Sequence, residues 1–361
     1  MAQSRMVRIL RNSVECLSET LLFDTLQTMV STDTAPRTRR GSSRSGVCGF
    51  IILSIIMLGS LLSIPWTFGV IESGGIPSRR YEAANLQLAL FPPVWWGTSD
   101  AQEEKLRNQY ESGAYVPGRI LGTDRLGRDF FARCLAGGGI SLAIGFCAAL
   151  LSVLIGTLYG AMAGWAGGRL DALLMRLVDI LFGLPYILLV VLLSVAVDGY
   201  LQSQAAEMGE AGRQFVNVLT LLAAIGAVSW LAMARVIRGQ VLSLREQPFM
   251  EASRAVGVPL KRQFLRHLLP NLMGPIIVYA TLAVPAAILS ESFLSFLGIG
   301  VKDPLPSWGN LASSGLSELN TVKSHWWLLF WPCLLIGTSL LALNFVGDHL
   351  KERFDPIRAS V

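Results

Sequence analysis

The residues able to act on other molecules are few in this 361-residue chain, and their types point to recognition rather than catalysis. No Gly-x4-Gly-Lys-Ser/Thr phosphate loop is present, so the chain is expected to bind no ATP itself. The three histidines, His267, His325 and His349, lack a ligand at helical spacing, and no Ser-His-Asp or Cys-His arrangement appears. Cys16, Cys48, Cys134, Cys147 and Cys333 are scattered, which predicts neither a disulfide framework nor a metal site. No cofactor is expected on this chain. One carboxylate stands out: Glu291, beside Ser290, falls near the end of an apolar run, where charge is expensive and faces a bundle interior or a water path. Glu291 and Ser290 are therefore candidates for a translocation pathway, with an inter-helix hydrogen bond that fixes packing as the alternative.

The second group with chemical potential lies at 246–271. Pro248 can open a short helix at its first turn. Gly257 can end it, because glycine alone takes the left-handed geometry cheaply. Pro259 opens a second helix, and Pro270 is expected to end that one and start the next apolar run. The first helix places Phe249, Ala252 and Val256 on one face, at i, i+3 and i+7. An apolar stripe on a surface helix suits docking into a partner's groove.

The elements that must position these groups are membrane spans. The chain is 52% hydrophobic and 15% charged, against about 25% charged for soluble domains, with mean hydropathy +0.51. Six apolar stretches, at 47–70, 139–163, 180–198, 215–237, 272–295 and 326–347, are long enough to cross a bilayer as helices. Gly145, Gly156, Pro185, Gly226, Pro275 and Pro285 interrupt them, as membrane helices tolerate. The polar segment before the first run is too long for a signal peptide, so that run is expected to remain as an anchor. The net charge of +5 fits an excess of Lys and Arg on one side of a membrane and does not call for nucleic acid. Arg5, Arg8, Arg11, Arg37, Arg39, Arg40 and Arg44 put the N-terminal tail in the cytoplasm. Arg169 and Arg176, the basic residues of 238–271, and Lys351, Arg353 and Arg358 then fall on the same side. Short outer loops hold only Arg213, or Lys302 and Lys323. Both termini are thus expected to be cytoplasmic.

The loop carries a family resemblance. Glu251-Ala252-Ser253, Gly257, nine residues to His267, and Leu269-Pro270 resemble the Glu-Ala-Ala-x3-Gly-x9-Ile-x-Leu-Pro signature of ABC importer permeases, with Ser253 and His267 as departures. The Arg266-His267-x-Leu269-Pro270-Asn271 ending looks like the dipeptide, oligopeptide and nickel branch. Leu121-Gly122-Thr123-Asp124-Arg125-Leu126-Gly127-Arg128-Asp129 resembles an element of the C-type subunit of that branch. Gly164-Trp165-Ala166-Gly167-Gly168-Arg169-Leu170-Asp171 resembles the same family, and Ser295-Phe296-Leu297-Gly298-Ile299-Gly300 and Pro306-Ser307-Trp308-Gly309 look like the same branch. Together the likeness covers roughly 119–357.

The resemblance implies an all-α, six-span type I ABC importer permease in a bacterial cytoplasmic membrane. Its domains would be a mobile basic tail (1–46), a first span with a long outer loop (47–138), a five-helix permease domain (139–348) and a cytoplasmic tail (349–361). It implies a partner permease of unlike sequence, two ATPase subunits that consume the ATP, and an external substrate-binding protein. The ATPase contact would include Phe249, Glu251, Ala252, Ser253, Val256, Gly257, Leu269 and Pro270. The implied cargo is a dipeptide or oligopeptide; nickel or another small solute is the alternative. A secondary transporter working without an ATPase would need ion-coupling groups or an inverted repeat, and only Glu291 and Asp179 and no second half are found.

Local expectations attach to the flanking segments. Thr123 or Asp124 caps a short amphipathic helix reaching Leu135. Asp171, Met175, Arg176 and Asp179 lie on an interfacial helix leading into the third span, with Arg176 and Asp179 placed to pair. A short helix forms near 100–112. Trp308, Trp326 and Trp327 join an outer aromatic belt.

Overall fold

The structure, a computed structural model, describes residues 39–73, 76–204, 209–319 and 324–354. The apolar stretches of span length all fall within the unit Ser45–Val361. The polar tail to residue 38, Lys323 and Arg358 lie outside the described residues.

Among the described residues, five helices are long and apolar enough to cross a membrane alone. They are α1 (Arg39–Leu62), α3 (Phe130–Ala166), α6 (Glu210–Arg245), the run through α9 (Leu269–Phe296) and α11 (Trp327–Phe354). One further helix pair is long and apolar enough only when taken together, as a broken span or a re-entrant loop: α4 (Gly168–Phe182) meets α5 (Tyr186–Gln204) at a bend of 91°. The expected interfacial helix is therefore α4, lying across the entry to the third span. Pro185 explains the break, since the residue before proline is pushed out of helical geometry. Helix α1 starts at Arg39 rather than 47, so the end of the tail read as mobile is helical.

Helices α3 and α6 form the centre. Gly156, Gly160 and Gly164 fall at i, i+4 and i+8 on α3, and the α6 backbone lies against them. A Cβ on Gly160 would come within 2.3 Å of the Ala234 carbonyl oxygen. Without a strong hydrophobic drive between helices in lipid, such close approach is how spans gain packing energy. Around this pair lie Ile144, Ala148, Leu221, Ala224, Ile225 and Val228, all buried.

The segment after α1 is not wholly irregular. A hairpin of β1 (Val70–Ser73) and β2 (Ile76–Arg79) pairs antiparallel, with Val70 opposite Arg79. The helix expected near 100–112 is α2 (Asp100–Glu111), closed at its start by a Ser99–Gln102 capping box. Leu88, Phe91 and Leu106 make a small core beneath it.

The 121–129 element corrects one expectation. Thr123 and Asp124 cap no helix. Thr123 Oγ1 donates to the Leu88 carbonyl at 2.6 Å and accepts from Phe91 N–H at 2.8 Å. Asp124 Oδ1 accepts from the N–H groups of Leu126 and Arg128, each at 2.9 Å. The cap is Asp129, whose carboxylate accepts from Phe131 N–H at 3.0 Å and Ala132 N–H at 3.3 Å, and α3 then runs unbroken to Ala166. Two loop anchors and one cap come from a single string of residues.

Candidate functional site

Between α6 and the fifth crossing stands α7 (Pro248–Ala255), with Pro248 at its first turn as expected. Its end is a Schellman closure: Val258 N–H donates to the Ser253 carbonyl at 3.1 Å and Gly257 N–H to the Arg254 carbonyl at 3.0 Å. Gly257 sits at φ +75°, in the left-handed region. The loop turn therefore needs glycine for its backbone and not for space, since nothing would meet a Cβ there.

Helix α7 has two faces. Met250 and Ser253 are buried and hold it to the bundle. Phe249 is 40% exposed and Val256 82% exposed, and Glu251 and Ala252 share the open side. Ser253 thus points inward while Phe249, Glu251, Ala252 and Val256 point away. Leu269 and Pro270 stand apart from this face.

Pro270 does lie in the first turn of α9, as expected, but the preceding helix does not stop before it. Pro259 caps a single turn, α8 (Leu260–Gln263), which passes through a π-helical turn at Phe264–Leu268 directly into α9. Leu269 N–H reaches back to the Phe264 carbonyl, five residues away. Widening the turn relieves the clash that the Pro270 ring would make in a regular helix, so the chain continues where a stop was expected.

Polar contacts join the helices that lead up to α7. Arg245 Nη1 donates to the Gly164 carbonyl at 2.7 Å, joining the ends of α6 and α3. Arg238 donates twice to Asp171, at 2.7 and 2.6 Å, joining α6 to α4. Asp179 pairs with Arg235 at 2.8 Å, not with Arg176. Its partner comes from another helix, and the Arg235 guanidinium lies 3.9 Å over the Phe182 ring. Sequence reading missed Arg238 and Arg235 as partners; arginines inside the last turns of an apolar run were the available signal.

Glu291 is fully buried. Ser295 Oγ donates to its Oε1 at 2.8 Å and Ser292 Oγ to its Oε2 at 3.3 Å. Ser141 on α3 and Ser307 stand near it as further hydroxyls. Both of those serines accept a backbone N–H, from Trp308 and Asn310 respectively, which leaves their hydrogens for the carboxylate. Glu291 thus sits where α9 meets α3 and the start of α10 (Trp308–Leu316). Trp308 itself is buried, donating Nε1 to the Cys134 carbonyl at 3.0 Å, so it belongs to the core and not to an aromatic belt. Trp327 is buried as well. Trp326 does sit among aromatic rings, with Trp95 and Trp96.

Ser290, one residue away, faces the other side. Its hydroxyl lies 3.3 Å from Tyr186 Oη, which also lies 3.1 Å from Ser229 Oγ. Sequence reading did not single out Tyr186 or Ser229.

Five apolar helices of span length and one bent pair among the described residues define a multi-pass membrane protein. The chain belongs to the family of binding-protein-dependent transport system inner membrane components, whose model matches residues 156–358. It is 44% identical over 236 residues to the dipeptide transport system permease protein DppC of Bacillus subtilis, covering 65% of this chain and 68% of that one. It is 42% identical over 237 residues to the oligopeptide transport system permease protein OppC of Haemophilus influenzae, covering 66% and 70%. To OppC of Escherichia coli K12 it is 43% identical over 239 residues, covering 66% and 72%. Among solved structures, an inward-facing MetNI methionine ABC transporter aligns with TM-score 0.46 at 17% identity, over 62% of this chain and 97% of that one. The resemblance read from the 246–271 loop is thus confirmed. The chain is an inner-membrane permease component of ABC importers, a class that works with ATPase and substrate-binding partners and does not itself hydrolyse ATP.

Proposed function

We propose that this chain is one of two unlike permeases of a peptide importer, and that α7 is the lever on which an ATPase subunit acts. The observation that carries the proposal is the two-faced α7. Met250 and Ser253 hold it to the bundle, while Phe249, Glu251, Ala252 and Val256 stand open. An apolar face without a partner inside the chain suits a groove on another subunit. Gly257 fixes the turn, and Leu269 and Pro270 belong to the helix that must move with it. The excess of Lys and Arg around 238–271 supports a cytoplasmic position for α7 and for both termini.

The peptide cargo rests on the names of the relatives. In this reading ATP closes the ATPase dimer, α7 follows, and the pathway between the two permeases changes its open side. The equilibrium shifts by as much as the ATP-dependent contacts on α7 differ between the two states. Within the pathway, Ser290 lies on an open face, whereas the four serines around Glu291 support the packing role for that carboxylate. The permease domain is 139–348.

Affinity purification of the tagged chain from membranes tests the reading. An ATPase subunit should accompany the wild-type chain and be lost from Phe249→Glu. Solute flux through the purified chain alone, with no ATPase partner, would overturn it.

A further inference from the structure

Three hydroxyls from three helices meet on an open face of the bundle. Tyr186 opens α5, Ser229 lies near the middle of the Ala211–Arg245 span, and Ser290 lies on α9. Tyr186 is 39% exposed, and Leu289 and Phe293 flank the cluster with open apolar surface.

The protons of this cluster can be accounted for one by one. Ser229 Oγ donates to the Ile225 carbonyl at 2.8 Å. Ser290 Oγ donates to the Ala286 carbonyl at 2.8 Å. Each serine has one proton, so neither can donate again. The tyrosine hydroxyl, 3.1 Å from one serine and 3.3 Å from the other, must then donate to one of them. All three protons are committed inside the protein. What remains on the three oxygens is lone pairs, a set of acceptors with no donor to offer.

A span face that exposes only acceptors is matched by a molecule bringing N–H groups. We propose that Tyr186, Ser229 and Ser290 form an acceptor-only contact on the translocation pathway, and that it receives the backbone amide N–H groups of the passing solute. The proposal rests on the peptide-importer reading above and adds to it a place and a polarity. Leu289 and Phe293 give the solute's side chains an apolar wall beside the acceptors. A solute that lacks N–H groups leaves these oxygens without a partner as it passes, and transition over the site becomes harder.

The test uses the whole transporter with its external binding protein, reconstituted in liposomes with ATP. Uptake of trialanine is compared with that of trialanine methylated at both amide nitrogens, each at a concentration that saturates the binding protein. Both Tyr186→Phe and Ser290→Ala should lower the ratio of trialanine to methylated-peptide uptake at least threefold relative to wild type. The ratio removes any general loss of assembly or folding. An unchanged ratio in both variants, whether uptake of the two peptides falls equally or not at all, would overturn the proposal and leave the hydroxyls as contacts to the neighbouring permease. Absence of trialanine uptake by the wild-type transporter would instead overturn the peptide reading on which it stands.

Discussion

Arg238 grips Asp171 with two hydrogen bonds, from Nε at 2.7 Å and from Nη2 at 2.6 Å. The pair joins the interfacial α4 to the last turns of α6, immediately before α7. The Asp171 side chain is largely buried and the arginine about one third exposed. On the proposed lever role of α7, this pair is the link by which a push on it is passed to α4. Arg238→Lys keeps the charge and loses the fork that matches a carboxylate. We expect it to destabilise the bundle by about 1–3 kcal/mol and to lower transport per ATP hydrolysed. A double-mutant cycle with Asp171→Asn checks this; additive effects would mean that the two residues act independently.

Glu291 gives a prediction about packing. Glu291→Ala removes the acceptor of the Ser292 and Ser295 hydroxyls in a buried place, at about 1–3 kcal/mol for the groups left unsatisfied. Glu291→Gln keeps one acceptor oxygen and should lose less. Thermal unfolding in detergent measures both. If Glu291→Ala left the midpoint unchanged while abolishing uptake, the carboxylate would serve the solute and not the bundle.

At the start of α3, the charge and the cap of Asp129 can be separated. Burial pushes its carboxyl above the usual range, against the lowering effect of the backbone N–H groups of Ala132, Phe131 and Gly118. A folded-state pKa raised above the unfolded value means that the folded protein holds the proton more tightly. This contribution therefore adds stability as pH falls through the raised pKa, and it is absent at low pH in Asp129→Asn, which cannot titrate. Asparagine still caps, so Asp129→Asn should be near wild type at neutral pH, while Asp129→Ala should lose about 1 kcal/mol. Unfolding midpoints of the three proteins across pH 4–8 read out the difference.

Gly257 should be sensitive to any side chain. At φ +75° an L-residue is strained although the space is open. Gly257→Ala is expected to cost about 1 kcal/mol locally and Gly257→Asp to uncouple ATP hydrolysis from uptake. Both should insert in the membrane in normal amounts, which membrane fractionation checks.

The sequence showed what is periodic or local. Apolar runs of span length located five straight crossings, and Pro248 and Gly257 bounded α7 because both act on their own backbone. It did not show what depends on a distant partner. Asp179 has Arg176 one turn away, yet its partner is Arg235 on another helix. Trp308 carries the chemistry of an interfacial residue but is buried because Ser141 and the Cys134 carbonyl satisfy both of its N–H groups. Pro270 reads as a stop, and the π turn that lets the helix continue leaves no mark in composition. In the same way Glu291 and Ser290 look equivalent as neighbours, though a helix turns them about 100° apart, one into a ring of serines and the other onto an open face.

The proposed role of the chain depends most on α7 meeting an ATPase subunit on the inner side of the membrane. Val256, 82% exposed at the end of that helix, is the place to probe it. In a chain stripped of its own cysteines, Val256→Cys should form a cross-link to the ATPase subunit with a short bifunctional maleimide, and its yield should change when ATP is trapped. Labelling of Val256→Cys in intact cells by a thiol reagent that cannot cross the membrane, with no cross-link formed, would contradict that placement of α7.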